Sequence, residues 1–293
     1  MNPGPQTGAA ATLQAPSQHY ENFPVASLLC PPRLRPAVAA IYWFARTADD
    51  IADEGDALPD QRLQDLTAYR TDLDATAAGR PASARWARVF GALQPVLQQF
   101  QLPVPLLADL LSAFEQDVLK QRYASEAELL DYCSRSANPV GRLLLHLYGI
   151  KDAASMQQSD AICSALQLIN FWQDLSVDIP RGRIYLPQER WAAHGVDEGQ
   201  LLRQEVLAST TNLIAACARA ARARMLKGAQ LPATVAAQLG GFDGWRAGFE
   251  LRCVMQGGLR ILDKMAALDF RTLKQRPTLH TWDAVVVLWK ALL

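Results

Sequence analysis

Residues 166–180 read LQLINFWQDLSVDIP. The stretch is apolar enough for a protein core, yet it carries two aspartates, two glutamines and an asparagine. Wound as a helix, Gln167, Asn170, Asp174 and Asp178 fall at roughly 0°, −60°, −20° and +20°, a single stripe. Leu166, Leu168, Ile169, Phe171, Trp172, Leu175, Val177 and Ile179 cover much of the remaining circumference. A helix that is apolar on most sides belongs inside, so its polar stripe is expected to face an internal cavity.

The pattern recurs upstream. In RLRPAVAAIYWFARTADDIADEGD, Tyr42, Arg46, Asp49 and Asp53 are spaced 4, 3 and 4 apart among Ile41, Trp43, Phe44, Ala45, Ala48 and Ile51. Asp50, Glu54 and Asp56 lie off that stripe or at the helix end and read as solvated. Asp49 with Asp53, and Asp174 with Asp178, are i,i+4 pairs, so each can aim two carboxylates at one spot. Two such charges about 4 Å apart repel by roughly 4 kcal/mol at an effective dielectric near 20, and burial adds to the cost. A neutralising partner is required. Mg²⁺ prefers carboxylate oxygens, takes one or two from a protein, and fills its octahedron with water and phosphate. The two pairs are therefore read as a clamp for a magnesium-bound diphosphate.

The rest of the chain fits one all-α domain. Helical patterns are read at about 60–79, 83–99, 103–121, 126–148, 152–179, 198–228, 242–268 and 282–292, with a loop and a short helical turn at 182–199. Alternating strands are nearly absent, and no Gly-rich nucleotide loop occurs, so no nucleotide-binding unit is read; no nicotinamide is expected. The N-terminal 1–17 reads as a disordered tail, followed by a single domain over 18–293. With 29 basic and 29 acidic residues, a nucleic-acid partner is not indicated. Five scattered cysteines without a C-x-x-C pair suggest neither a disulfide framework nor a zinc site, but small buried hydrophobes in a reducing cytoplasm.

These residues resemble the squalene/phytoene synthase family of head-to-head isoprenoid synthases. HYENFPVASLLCPPRLRPAVAAIYWFARTADDIAD is similar to the family's first region, SANPVGRLL to its central helix, and LQLINFWQDLSVDIPRGRIYLP to its second aspartate region. Within the family, HYENFPVAS, YCSRSANPVGRLLLHLYG and INFWQDLSVDIPRGRIYLP are most similar to the hydroxysqualene-forming branch of bacterial squalene and hopanoid pathways. The resemblance implies an isoprenoid synthase bundle around a central cavity. It also implies an activity: loss of diphosphate from presqualene diphosphate, cation rearrangement and capture by water.

The resemblance also assigns residues. Asp49, Asp53, Asp174 and Asp178 are expected to hold several Mg²⁺ ions and diphosphate, with Gln167 and Asn170 alongside. Arg46 is expected to hold phosphate oxygens, His19 and Phe23 to form an entry motif, and Tyr42 and Tyr132 to line the cavity. Arg183 and Tyr185 fall in the loop that closes the site, and Asp117 on another cavity helix, with Lys120 and Arg122 as candidate phosphate partners. Lys274 and Arg276 match a C-terminal basic patch. Tyr132, Asn138 and Asn170 are candidates for positioning the water.

Two departures stand out. Gln173 occupies a position where condensing synthases usually have arginine, and Asn138-Pro139 replaces a small-Gly pair, which predicts a kink and a polar amide beside the cavity. Two rival readings are a synthase that joins two prenyl diphosphates into presqualene diphosphate, squalene or phytoene, and a non-catalytic helical assembly factor that keeps the fold. The greasy product raises the expectation of peripheral contact with the inner face of the membrane and of neighbouring pathway enzymes.

Overall fold

Prolines and glycines mark several of the helix boundaries in the computed structural model, which describes residues 29–293. The tail at 1–17 and the entry residues His19 and Phe23 lie outside the described residues. Helix α1 (Arg35–Asp53) has a proline in its first turn and stops just before Gly55, whose φ of 76° suits glycine. Arg62 then donates to the carbonyls of Ile51, Glu54, Gly55 and Ala57, satisfying acceptors that the helix end leaves open. The end of α1 that carries Asp49 and Asp53 is thereby pinned. Next come α2 (Pro59–Ala77), α3 (Ala87–Phe100) and α4 (Val104–Leu119), which pack with α1 around one apolar cluster that includes Phe44, Leu66, Tyr69, Phe90 and Leu107.

The chain continues through α5 (Glu126–Ser136), α6 (Asn138–Leu147), α7 (Ala153–Gln173), α8 (Leu175–Asp178), α9 (Gln188–Ala193), α10 (Glu198–Leu202), α11 (Ala208–Lys227), α12 (Leu231–Leu239), α13 (Gly241–Ala267) and α14 (Thr281–Leu292). The all-α reading holds, and among the described residues the only β pairing is an isolated bridge between Arg122 and Ile184. Several boundaries differ from the sequence reading. The pattern at 126–148 is two helices, because Pro139 has no N–H to continue the ladder and the backbone turns at Ala137. The 152–179 helix is interrupted at Asp174, where φ −98° and ψ 11° leave the helical range. The 198–228 pattern divides at 203–207, where Gln204 takes φ 52° and Leu207 is extended. Helix α12 was not anticipated at all: it is short and is cut from α13 by the Gly240-Gly241 pair, both at positive φ.

A second apolar cluster surrounds α7, α11 and α13 and includes Ile169, Trp172, Ile214, Met225 and Leu262. Helix α7 is its axis. From Ile162 to Gln173 only Gln167 and Asn170 escape burial, so the polar stripe is the one face that is not packed. Gly141 lets α6 lie against α7: a Cβ there would sit 2.6 Å from Cys163 Sγ and closer still to Ser159 Oγ. At the C-terminal end, buried Asp283 accepts from Arg260 Nε at 2.7 Å and Lys264 Nζ at 2.5 Å, clasping α14 to α13. The outer face of α14 leaves Trp282, Val285, Trp289 and Leu292 exposed. Among the described residues, no helix is long and apolar enough to cross a membrane.

Candidate functional site

Where the two apolar clusters meet, α1, α4, α5, α6, α7 and α13 leave a cavity of about 490 Å³. Ile41, Tyr42, Phe114, Val140, Leu143, Leu166 and Val254 form much of its wall. Beside it lies a smaller chamber of about 140 Å³ walled by Asp49, Asp53, Asp117, Asp174, Asp178 and Arg183, with Tyr132, Gln167, Asn170, Phe171 and Tyr185. Asp49, Asp117, Tyr132, Gln167, Asn170 and Asp174 belong to both walls. A small charged compartment thus opens against a large apolar one.

The four aspartates of the two stripes do converge on the charged chamber, and three of them already carry an arginine. Arg46 Nη1 lies 3.3 Å from Asp49 Oδ2, while its Nη2 lies 2.6 Å from Asp50 and 3.8 Å from Glu54. Asp50 is therefore not merely solvated; of these three carboxylates it lies nearest to Arg46. Arg183 Nη2 reaches Asp53 at 2.6 Å, and Arg181, which the sequence did not single out, lies 3.9 Å from the same side chain. Arg276 grips Asp174 with Nε at 2.5 Å and Nη2 at 3.1 Å, and Asn170 Nδ2 donates to the same carboxylate at 3.2 Å. Asp178 has a different electrostatic position. Burial, followed by the charge of Asp174, pushes its carboxyl up to about 7.

Arg183 and Arg181 oppose the rise only in part, and a divalent cation there would add to that relief. Among the described residues no group of three or more metal-ligating side chains is placed to hold an ion alone. The donors are arranged in pairs, which fits Mg²⁺, since it commonly takes one or two carboxylates and completes its shell with water and phosphate.

Aromatic rings organise the loop after α8. Tyr185 stacks on Phe171 with centroids 3.8 Å apart and planes 7° apart, and both rings neighbour Tyr132. The Tyr132 hydroxyl donates to Asp117 Oδ2 at 2.7 Å. Asp117 is buried beside this cluster, and burial pushes its carboxyl up to about 7.

Other residues singled out in the sequence lie outside both walls. Asn138 is in neither cavity wall; it is buried, and its Oδ1 accepts from Ser164 Oγ at 2.8 Å, fastening α6 to α7. Lys120 pairs with Glu128 and lies over the Tyr123 ring, away from both walls. Arg122 donates to Glu198 at 2.8 Å and to the Gly182 carbonyl at 2.5 Å, so it pins the loop from outside. Lys274 is exposed and lines neither cavity, unlike Arg276 two residues on. Gln173 does not face the charged chamber: it is 5% exposed and its Nε2 donates to the Pro277 carbonyl at 2.7 Å. The α13 wall, with Glu250, Leu251 and Val254, was missed, because nothing in the local pattern of α13 separates cavity-facing from packed positions.

The model of one family, squalene/phytoene synthase, matches residues 17–283. The chain belongs to that family. Hydroxysqualene synthase of Sinorhizobium fredii is 37% identical over 187 residues, covering 63% of this chain and 61% of the relative. The corresponding enzyme of Zymomonas mobilis is 38% identical over 199 residues, covering 67% and 64%. The matched segments thus span a little over three-fifths of these relatives. Phytoene synthase of Thermus thermophilus is 29% identical over 283 residues, covering 97% of this chain and 92% of the relative. Among solved structures, squalene synthase HpnC from Alicyclobacillus acidocaldarius superposes with a TM-score of 0.76 at 32% identity, covering 86% of this chain and 90% of that one. Members of the squalene/phytoene synthase family act on prenyl diphosphates, and the paired chambers have the two characters such a substrate needs.

Proposed function

We propose that this protein is a hydroxysqualene synthase, which ionises presqualene diphosphate with the help of Mg²⁺ and lets water capture the rearranged cation. The observation that carries the reading is the shared wall between the charged chamber and the apolar cavity. A diphosphate suits the first and a long hydrocarbon the second, so the bond between them would lie at the boundary. Asp49 with Asp53, and Asp174 with Asp178, would hold the metal. Bound magnesium would supply electrophilic pull on the leaving diphosphate.

The protein's own side chains supply the rest. Arg46, Arg183 and Arg276 offer planar, multi-donor heads to phosphate oxygens, where charge grows as the C–O bond breaks. Tyr42 and Tyr132 present aromatic rings to the cavity, and such rings attract cations through their quadrupole without attacking them. The aliphatic wall keeps bulk water from the cation, so that one held molecule adds.

The experiment is incubation with Mg²⁺ and presqualene diphosphate, then separately with farnesyl diphosphate, in ¹⁸O-labelled water. The expected outcome is a labelled C30 alcohol from the first and no turnover of the second. Consumption of farnesyl diphosphate alone would instead support condensation of two prenyl diphosphates. That second reading draws on the phytoene synthase match along nearly the whole chain, and on a relative from Rhodopseudomonas palustris named presqualene diphosphate synthase, 33% identical over 169 residues.

A further inference from the structure

The reaction proposed above leaves a proton to be disposed of, because water adding to a cation gives a protonated alcohol. The proton acceptor should sit at the boundary of the two chambers, where the reacting carbon would lie. Six residues belong to both walls. Asp49 and Asp174 are engaged by arginines, and Asn170 donates to Asp174. Tyr132 gives its hydroxyl hydrogen to Asp117 Oδ2, which leaves its oxygen lone pairs as acceptors on the cavity side of the bond. Behind it, Asp117 Oδ1 is buried and has no hydrogen-bond partner among the described residues. A carboxylate so placed is stabilised by becoming neutral.

We propose that Tyr132 and Asp117 form a proton relay for the capturing water, an inference that rests on the water-capture reading. The water oxygen forms the new C–O bond while one of its O–H bonds breaks toward the Tyr132 oxygen. In the same movement the Tyr132 hydroxyl proton passes to Asp117 Oδ2. Cation, water and carboxylate become alcohol, tyrosine and carboxylic acid, so atoms and charge balance and no oxidant or reductant is needed. The proton then leaves to the departing diphosphate or to solvent.

The surroundings agree with these roles. Burial raises the Tyr132 phenol well above its usual range, so it cannot serve as a base by itself and needs the carboxylate behind it. Asp117 takes a proton readily, held up to about 7 chiefly by burial, with the Tyr132 hydroxyl and Arg183 opposing the rise and Asp49 and Asp53 adding to it. Rings of Tyr123, Phe171 and Tyr185 surround Tyr132 and fix the direction of its hydroxyl. Among the described residues, Ser136 Oγ is the other unpartnered buried atom on a residue of the apolar wall. A lone hydroxyl there can hold a water but has no carboxylate behind it to receive the proton.

The test compares wild type with Asp117→Asn and Tyr132→Phe on presqualene diphosphate, Mg²⁺ and ¹⁸O-labelled water, measuring diphosphate release and the ratio of labelled alcohol to oxygen-free hydrocarbon. Both substitutions are near-isosteric, and circular dichroism checks the fold. The expected result is continued diphosphate release with at least a tenfold fall in that ratio in both variants, as the cation loses a proton from carbon instead. An unchanged ratio in either variant overturns the relay. So does loss of diphosphate release in folded Asp117→Asn, which would assign the residue to ionisation, or a ratio that moves with Ser136→Ala and not with Asp117→Asn. If the wild type itself makes no labelled alcohol, the failure lies in the proposed function.

Discussion

The side-chain amide of Gln173 donates to the carbonyl of Pro277 at 2.7 Å, and the residue before that proline, Arg276, holds Asp174, the residue after Gln173. Two neighbours at the break between α7 and α8 thus grip two neighbours on a distant segment. Gln173 is 5% exposed and offers no route to the charged chamber. The arginine that this position lacks is in effect delivered from the C-terminal segment. We expect Gln173→Arg to add no grip on diphosphate. It should bury a guanidinium without a carboxylate and lower stability by about 3 kcal/mol, read as a drop in thermal midpoint. A variant of unchanged midpoint and tighter diphosphate binding would refute this.

Proton counting gives a second prediction. An unfolded aspartate titrates near 3.9, whereas Asp117 and Asp178 reach about 7 in the fold. Between those values the folded protein holds more protons than the unfolded chain. The stability these groups contribute is therefore fully present below about 4 and is lost as pH rises through about 7. Binding of Mg²⁺ with inorganic diphosphate at pH 6.5 should expel protons, since a metal ligand must be ionised. Calorimetry in two buffers of different ionisation heat measures the release, and Asp178→Asn should reduce it. Identical heats in the two buffers would count against it.

Gly141 gives a packing prediction. A methyl group there meets Cys163 Sγ at 2.6 Å and Ser159 Oγ nearer still, so either those two side chains rotate away or α6 moves off α7. Overpacking of this kind costs about 1–3 kcal/mol. Because Val140 and Leu143 on the same helix line the apolar cavity, Gly141→Ala should also raise KM for substrate more than it lowers kcat. Chemical denaturation and steady-state kinetics on one preparation test both parts.

At the other end of the chain, Lys264, the His280 backbone N–H and Arg260 hold the Asp283 carboxyl well below the usual carboxylate range. Its stabilising contribution is complete above about pH 4, where the unfolded residue is ionised, and is lost as pH falls toward the folded value. Asp283→Asn should therefore flatten the acid limb of the stability curve and free α14 at neutral pH. Hydrogen exchange along 281–292 would report the second effect, and unaltered protection there would contradict the clasp.

The sequence made the two stripes legible because polar groups repeated at helical spacing inside apolar segments have few explanations other than a cavity. What it could not provide was whatever depends on distant segments meeting. Arg276 and Asp174 are far apart in the chain, and Gln173, at the position where condensing synthases usually carry arginine, points to Pro277 instead. Asn138 had the right type and neighbourhood for the cavity but turns to Ser164, because Pro139 breaks the helix beside it. The interruption at Asp174 left no mark in the pattern, since hydrogen bonding resumes at once with Val177 and Asp178 bonded to its carbonyl.

Under the proposed function, the arginine–aspartate pairs at Asp49, Asp53 and Asp174 would make loading an exchange rather than an addition. The carboxylates would hold the divalent cations and the arginines would turn to the diphosphate, leaving the number of close opposite charges nearly the same. Long-range attraction would then contribute little to capture. The affinity of such a site should vary far less with ionic strength than that of an open basic cleft, where screening beyond about 10 Å at 0.1 M salt removes much of the pull.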